Sequence, residues 1–311
     1  SISKIRVSQV YASFIKNIEK YISDEYLYLI KQLKNETILN IKNKQYDFED
    51  LAALLYIKYI LTGTGDYSKY RHVVIDESQD LGEFNFFVLK EIMKNSTFSI
   101  FGDLAQSLYD YRSIGSWDDI VETVFQNNCE IQELSKSYRT TKQIMETANN
   151  ITTHIGLNTA LPVIREGSEV AFTESENNNF NIILERISQY KKNGYESIAI
   201  ICKNIKELTE IYNFMKNIGM DINCIKHPED KYESGLCIIT SYLAKGLEFD
   251  AVIINDASEN TYSSTSSTDM KLLYVAMTRA LHEMEIIYTD KITMPLEKCL
   301  KVTKQKIKVL R

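Results

Sequence analysis

Proline is scarce, with three in 311 residues, which excludes Pro-rich spacers and leaves little room for disordered linkers. The five cysteines are Cys129, Cys202, Cys224, Cys237 and Cys299, and no two form a C-x-x-C pair. Four of them sit in apolar, strand-like surroundings, so they read as reduced core thiols of a cytoplasmic protein. The four histidines are scattered, which also argues against a metal cluster. The most apolar run, LAALLYIKYIL, is too short to span a bilayer and contains Lys58. The first residues carry no secretory pattern, and no membrane association is expected. An excess of positive charge is missing too, since the net charge is −6; this excludes a globally basic nucleic-acid binder. The charge is nevertheless uneven. Residues 291–311 hold seven Lys or Arg against one Glu, a tail that suits either a phosphate backbone or a solvated helix face.

One further absence matters most. HVVIDESQD, residues 72–80, reads as a buried strand that delivers Asp76 and Glu77 into a phosphate site. Such a site needs a G-x-x-x-x-G-K-[ST] loop to cradle phosphates, and no Gly-Lys pair occurs anywhere in the chain. The glycines nearest the strand, Gly63 and Gly65, precede it, whereas a phosphate loop follows a strand and opens a helix. They read as a turn between a helix and the Asp76 strand.

A length of 311 residues suggests two domains, and an apolar fraction of 44% supports real cores. Residues 1–62 read as helices, with Asp47 and Glu49 near the start of YDFEDLAALLYIKYIL. Strand 72–76, helix 83–94, strand TFSIFGD and helix 117–127 follow. A second α/β unit opens near Cys129 with CEIQEL as a strand and TTKQIMETANNITTHI as a helix. EVAFT, SIAIIC, INCIK, LCIIT, AVIIND and MEIIY are further strand candidates, and helices are expected near 177–192, 204–217 and 268–280. ENTYSSTSSTD, 259–269, reads as a mobile polar loop. Acids at strand ends in such an α/β order mark the edge where ligands gather.

Five short segments occur in one order: VVIDESQD (73–80), IFGDLAQSLYDYR (100–112), ELSKSYRTT (133–141), TSYLAKGLEFDAVII (240–254) and LLYVAMTRA (272–280). Together they resemble the second to sixth motifs of superfamily 1 helicases of the UvrD/Rep type, over roughly residues 46–290. SYLAKGLEFDAVIINDAS, KLLYVAMTRALHEMEI and YDFEDLAALLYIKY resemble the HelD branch in particular, the RNA polymerase-associated helicase-like ATPases. The interval of about 100 residues between the fourth and fifth motifs is too short for the large inserted domain of UvrD/Rep helicases. The resemblance implies an α/β architecture of two RecA-like P-loop NTPase motor domains, the first one incomplete. The expected division is 1–128, opening with a helical segment 1–62, and 129–311 with its basic tail. In the family the phosphate loop lies far upstream of the acidic strand. The chain is therefore expected to be a C-terminal piece of a longer protein, with natural loss of the loop as the alternative.

The same resemblance implies the roles. Asp76 holds Mg2+ and Glu77 polarises the water that attacks ATP, because phosphoryl transfer needs charge neutralisation and an oriented nucleophile. Gln79 and Asp80 tie the strand to neighbouring motifs; Ser78 stands where the family often has an aromatic. Gln106 senses the terminal phosphate. Tyr109 and Tyr111 face nucleic acid, Tyr111 stacking a base and Arg112 supporting a backbone phosphate, although Tyr111 also suits a core. Arg139 and Arg279 point at the terminal phosphate and neither is expected in a core; two surface salt bridges are the alternative. Gly246 permits close backbone approach, and Glu248 meets the ribose or the metal's water. Thr240 contacts the nucleic-acid backbone, beside a Tyr242 that replaces the UvrD-pattern histidine. Thr278 couples strand to cleft. The implied partners are single-stranded DNA, RNA polymerase in the HelD reading, and the missing N-terminal part of the protein itself. Three functions stay open: a DNA helicase or translocase, an ATPase that releases polymerase from nucleic acid, and an inert binding module when the chain is isolated.

Overall fold

The computed structural model describes residues 6–109, 113–162, 165–176 and 179–300. The chain divides into two compact units with breaks after Gly102, Tyr109 and Ile131, so the short piece 103–109 belongs to the second unit.

The first unit contains α1 (Val7–Lys16), α2 (Leu27–Lys42), α3 (Phe48–Thr62), β1 (His72–Ile75), α4 (Glu83–Ile92), β2 (Thr97–Ile100) and a short α5 (Trp117–Asp119). Asp47 caps α3, and the Asp50 carboxylate accepts the Asp47 N–H at 3.1 Å. Gly63 ends the helix at φ 74, a conformation that suits a residue without Cβ. Asp50 also accepts the buried Tyr11 hydroxyl at 2.5 Å, which ties α1 to α3. Burial, reinforced by Asp50, pushes the Tyr11 phenol well above its ordinary range. Ala52, Val88 and Ile92 pack with Tyr56 and Phe87 between α3 and α4. β1 and β2 run parallel, from His72 opposite Thr97 to Ile75 opposite Ile100. The helix expected over 117–127 is only partly α. After Asp119 the backbone widens into a π-helical turn, Ile120–Val124, and Gln126 and Asn127 end it with φ of 55° and 59°.

The second unit contains β3 (Lys136–Ser137), α6 (Lys142–His154), β4 (Leu161–Pro162), β5 (Ala171–Ser175), α7 (Phe180–Lys192), β6 (Ile198–Cys202), α8 (Ile205–Asn217), β7 (Asn223–Ile225), β8 (Leu236–Thr240), β9 (Phe249–Ile254), α9 (Ser267–Met277) and β10 (Ala280–Thr289). Six strands form a parallel sheet in the order β5-β10-β9-β6-β8-β7. β6 and β8 are buried at every residue, as strands are when a parallel sheet is covered on both faces. Ile198, Ile200 and Cys202 pack with Leu208 and Ile211 of α8 and Ile183 and Ile187 of α7. Ala199 and Ile201 belong to the opposite core, with Ile144 and Ile151 of α6 and Leu273 of α9.

Two expectations are corrected here. CEIQEL is not a strand. Leu134 is 83% exposed and Ile131 is also exposed, and pairing begins only at Lys136 and Ser137, opposite Leu161 and Pro162. The run 259–269 is not a free loop. Tyr262 is fully buried and shares a 2.6 Å hydrogen bond with the Ser241 hydroxyl. Glu259 accepts the Ser264 amide and hydroxyl, each at 2.7 Å, and Asp269 accepts the Ser263 amide at 3.0 Å. The serine-rich composition serves internal hydrogen bonding. All five cysteines are free; Cys202 and Cys237 are buried and Cys129 is exposed. Among the described residues no helix is long and apolar enough to cross a membrane.

Candidate functional site

In the first unit, β1 ends at Ile75 and hands Asp76 and Glu77 to solvent at its carboxyl end. Glu77 adopts a left-handed conformation, φ 51 and ψ 32, which costs energy for a residue with Cβ and is found at functional turns. The turn is held on three sides. Asp76 Oδ1 accepts the Glu77 N–H at 2.9 Å. Gln79, buried, donates through Nε2 to Glu77 Oε2 at 2.7 Å. The Ser78 amide and hydroxyl both donate to the Phe101 carbonyl, at 3.0 and 2.6 Å. Ser78, the apparent gap in the family pattern, thus fastens the acidic turn to the end of β2. Gly102 lies flush against it. A Cβ there would stand 2.8 Å from Gln79 Oε1 and 2.9 Å from Ser78 Oγ, so the turn needs glycine for close approach.

In the second unit, Asp103 caps a single 3-10 turn, Leu104–Gln106. Its Oδ1 accepts the Ala105 N–H at 2.9 Å and its Oδ2 accepts Gln106 Nε2 at 2.8 Å. With the amide nitrogen so engaged, Gln106 Oε1 is turned to accept Arg279 Nη2 at 3.1 Å. Arg279 itself overturns the expectation that neither arginine is in a core, for it is only 1% exposed. It donates to the carbonyls of Val275 (3.0 Å) and Leu247 (3.2 Å) and to Thr278 Oγ1 (3.1 Å). The short chain between α9 and β10 drives it inward, and backbone carbonyls and the Gln106 amide offset the loss of hydration. Arg139 differs. It is nearly half exposed, and its Nε lies 2.7 Å from Glu248 Oε1.

Gln106 and Arg139 line one cavity of about 450 Å³ together with Asp103, Tyr138, Tyr274 and Thr278. Arg279 bonds two of those lining residues, Gln106 and Thr278. Burial pushes the Tyr274 phenol far above its usual range; Asp103 adds to that, while Arg279 and Arg139 pull against it. The two arginines, 140 residues apart in the chain, therefore act on one small region. Such a volume lies within the range of small-molecule sites, and a cationic wall with an oriented amide suits an anionic ligand.

The remaining candidates sit nearby in the chain. Gly246 has φ 82 with open space around its Cβ position. Thr240 is buried at the end of β8. Tyr109 packs edge-on against the exposed Tyr242, with ring centroids 5.5 Å apart. Tyr111 and Arg112 lie outside the described residues, as does most of the basic tail. Two residues that sequence reading passed over belong to the cavity. Tyr138 is 69% exposed at its wall, and its signal was an aromatic directly before Arg139. Asp103 orients Gln106, and its signal was an acid at a helix-cap position. Among the described residues no cluster of three or more His, Cys, Asp or Glu is set for a metal ion.

Comparison with known proteins agrees with both halves of the chain. The UvrD/REP helicase N-terminal domain family matches residues 5–115, and the UvrD-like helicase C-terminal domain family matches residues 226–291. DNA helicase IV of Escherichia coli (strain K12) is 23% identical over 280 residues, covering 81% of this chain and 39% of that protein. The Probable DNA helicase of Mycoplasma pneumoniae is 24% identical over 269 residues, 77% of this chain and 48% of that protein. The ATP-dependent DNA helicase srs2 of Schizosaccharomyces pombe is 32% identical over 113 residues, 35% of this chain and 12% of that protein. The chain spans less than half the length of each of these relatives. The domain matches and the helicase homologues support a helicase of the UvrD/Rep type.

Proposed function

From a chain that matches both UvrD-like helicase domains, we propose that these residues form the C-terminal motor portion of an ATP-dependent DNA helicase or translocase. The observation that carries the reading is the cavity at which Gln106 and Arg139 meet and behind which Arg279 is buried. In this reading Gln106 and Arg139 meet the terminal phosphate of ATP, and Arg279 supports them from behind through its bond to Gln106 Oε1. Arginine suits that task because its planar guanidinium stays charged and offers parallel N–H groups to phosphate oxygens. Asp103 sets the orientation of the Gln106 amide, and Tyr138 offers a ring on which the base stacks. Glu248 and Gly246 lie on the same turn, Glu248 as the partner of Arg139 until phosphate replaces it.

Mg2+ is held through one or two carboxylates together with substrate phosphates. Asp76 and Glu77, adjacent and solvent-facing at a strand end, fit that donor set. When bound, the metal neutralises developing phosphate charge. Glu77 orients the attacking water, and Gln79 steadies Glu77 from a buried position. The phosphate loop is not among these residues and is supplied, on this reading, by a further portion of a longer protein. The exposed face of β1 supports this: Val74 is 64% exposed, although parallel strands are ordinarily covered on both faces. Tyr109 and the exposed Tyr242 form the face offered to single-stranded DNA, with the buried Thr240 behind them. Only sequence resemblance speaks for the polymerase-releasing alternative, and it is not carried further.

The test is single-strand-stimulated ATP hydrolysis. The protein that includes the loop is expected to hydrolyse ATP and to lose that activity with Glu77→Gln. The 311-residue chain alone is expected to show no appreciable turnover. Full turnover by the chain alone, abolished by Glu77→Gln, would overturn the claim that the loop is needed from elsewhere.

A further inference from the structure

Arg139 has little to fix it. It lies between the two-residue β3 and the start of α6, and its ion pair with Glu248 is half exposed, a contact of small and screened strength. A second segment, residues 165–167, supplies what is missing. Arg165 Nη1 donates to the Arg139 carbonyl at 3.1 Å, and the Arg165 carbonyl accepts the Lys142 N–H at 2.9 Å. The Gly167 N–H donates to Gln143 Oε1 at 3.0 Å. Gly167 passes so close to Thr141 that a Cβ there would stand 2.4 Å from Thr141 Cγ2. The segment is bound flush along Arg139–Gln143.

The other arm of Arg165 reaches β10. Its Nη2 lies 2.8 Å from His282 Nδ1. The same Nη2 lies 3.3 Å from Nε2, so the guanidinium rests against the imidazole ring near both nitrogens. His282 stands on the strand that begins immediately after Arg279. We propose that Arg165 and His282 form a latch that positions Arg139, tying its backbone to the strand that leads from Arg279. The proposal rests on the reading of Arg139 given above.

The groups facing the ring hold it in place. Tyr195, in the turn before β6, stacks on it with centroids 5.7 Å apart at 16°. The Tyr195 hydroxyl donates to Glu283, the next residue of β10, at 3.2 Å. From β9, Asp250 Oδ1 lies 3.9 Å from His282 Nε2, while its Oδ2 accepts the amides of Glu196 and Ser197. The ring thus sits between a cation on one side and a carboxylate on the other.

Hydrogen–deuterium exchange on the 311-residue chain reads the latch without nucleotide, with rates corrected for the intrinsic pH dependence of exchange. Arg165→Met is expected to speed exchange of the Lys142 amide on the order of tenfold. His282→Ala, which removes the ring against which the guanidinium rests, is expected to speed it as well. In the loop-containing protein, Arg165→Met should lower kcat with KM little changed. Unchanged exchange in Arg165→Met, or in His282→Ala, overturns the latch. Faster exchange with wild-type kcat overturns its positioning role. Wild-type turnover by Arg139→Ala would instead refute the phosphate role of Arg139 and leave the exchange result standing, so the two failures are told apart.

Discussion

The two units hold parallel strands of similar composition in different surroundings. Ile200 and Ile253 of the second unit are fully buried beneath helices, whereas Val74 of the first is 64% exposed. The run Val73–Ile75 is as apolar as Ile198–Ile201, so the difference lies in what covers the strands. The functional candidates follow the same division. Asp76 and Glu77 stand in solvent on a strained turn, while Arg279 is enclosed by carbonyls. The second unit therefore carries its charge chemistry inside its own core. The first presents its chemistry at an edge whose cover, on the proposed reading, comes from the phosphate-loop portion.

The largest expected effect separates these two kinds of site. Arg279→Ala takes the arginine donor from the Leu247 carbonyl and from Gln106 Oε1, and leaves a cavity where the side chain was buried. It should destabilise the second unit by about 3 kcal/mol and, in the loop-containing protein, cut ATP turnover by about 10³–10⁵. Asp76→Asn should abolish turnover as well, yet change stability by no more than about 0.5 kcal/mol, as exposed substitutions do. Urea unfolding followed by far-UV circular dichroism checks the first. The single tryptophan, Trp117, lies in the first unit, and its fluorescence checks the second. A wild-type unfolding midpoint for Arg279→Ala would break the contrast.

A middle-sized effect sharpens it. Ile200→Ala, in a strand buried on both faces, should cost about 2–5 kcal/mol. Val74→Ala should cost less than about 1 kcal/mol in the 311-residue chain. Joined to the phosphate-loop portion, Val74→Ala should become markedly more costly, because that portion is proposed to cover β1. An equal cost in both settings would show that β1 is not covered by it.

Much of the second unit was legible because its strands are unbroken apolar runs and its helices carry separate apolar faces; SIAIIC, LCIIT and AVIIND needed no tertiary knowledge. CEIQEL misled because Cys129 and Ile131 alternate with polar residues as in a strand, but have no partner strand beside them. The polar run 259–269 misled because composition cannot tell hydroxyls that meet water from those that meet Asp256, Glu259 and Asp269. At the candidate site, the family resemblance is what singled out Asp76, Glu77, Gln106 and Arg139. The depth of Arg279 was hidden, since an arginine in sequence reads as surface. Arg165 and His282 were invisible for a different reason. They meet across 117 positions; Arg165 lies outside every quoted segment, and His282, inside KLLYVAMTRALHEMEI, has no role that the segment implies.

The smallest effect concerns pH, and here the units should differ in sign. Glu207 sits in the first turn of α8, where the Asn204 side chain accepts its N–H at 3.0 Å. Burial, together with Asp256, raises its carboxyl above the ordinary glutamate value, against the opposing hydrogen bonds from Asn255, the Lys203 amide and Asn204. A raised value means that the folded chain holds this proton more tightly than the unfolded chain. Between the ordinary and the raised value the unfolded state binds fewer protons, so stability falls as pH rises. The contribution is whole below the ordinary glutamate range and is lost as pH climbs through the raised value. Glu19, in the first unit, is the reverse case. Its hydrogen bond with Lys34, at 2.8 Å, lowers its carboxyl, so its contribution is present above the ordinary range and lost as pH falls. Unfolding free energies from pH 4 to 7, taken as wild type minus Glu207→Gln and wild type minus Glu19→Gln, should therefore slope in opposite directions. Circular dichroism follows the first difference and Trp117 fluorescence the second. Slopes of the same sign would mean that burial does not govern Glu207, and that the second unit is not set apart from the first by holding charge in its interior.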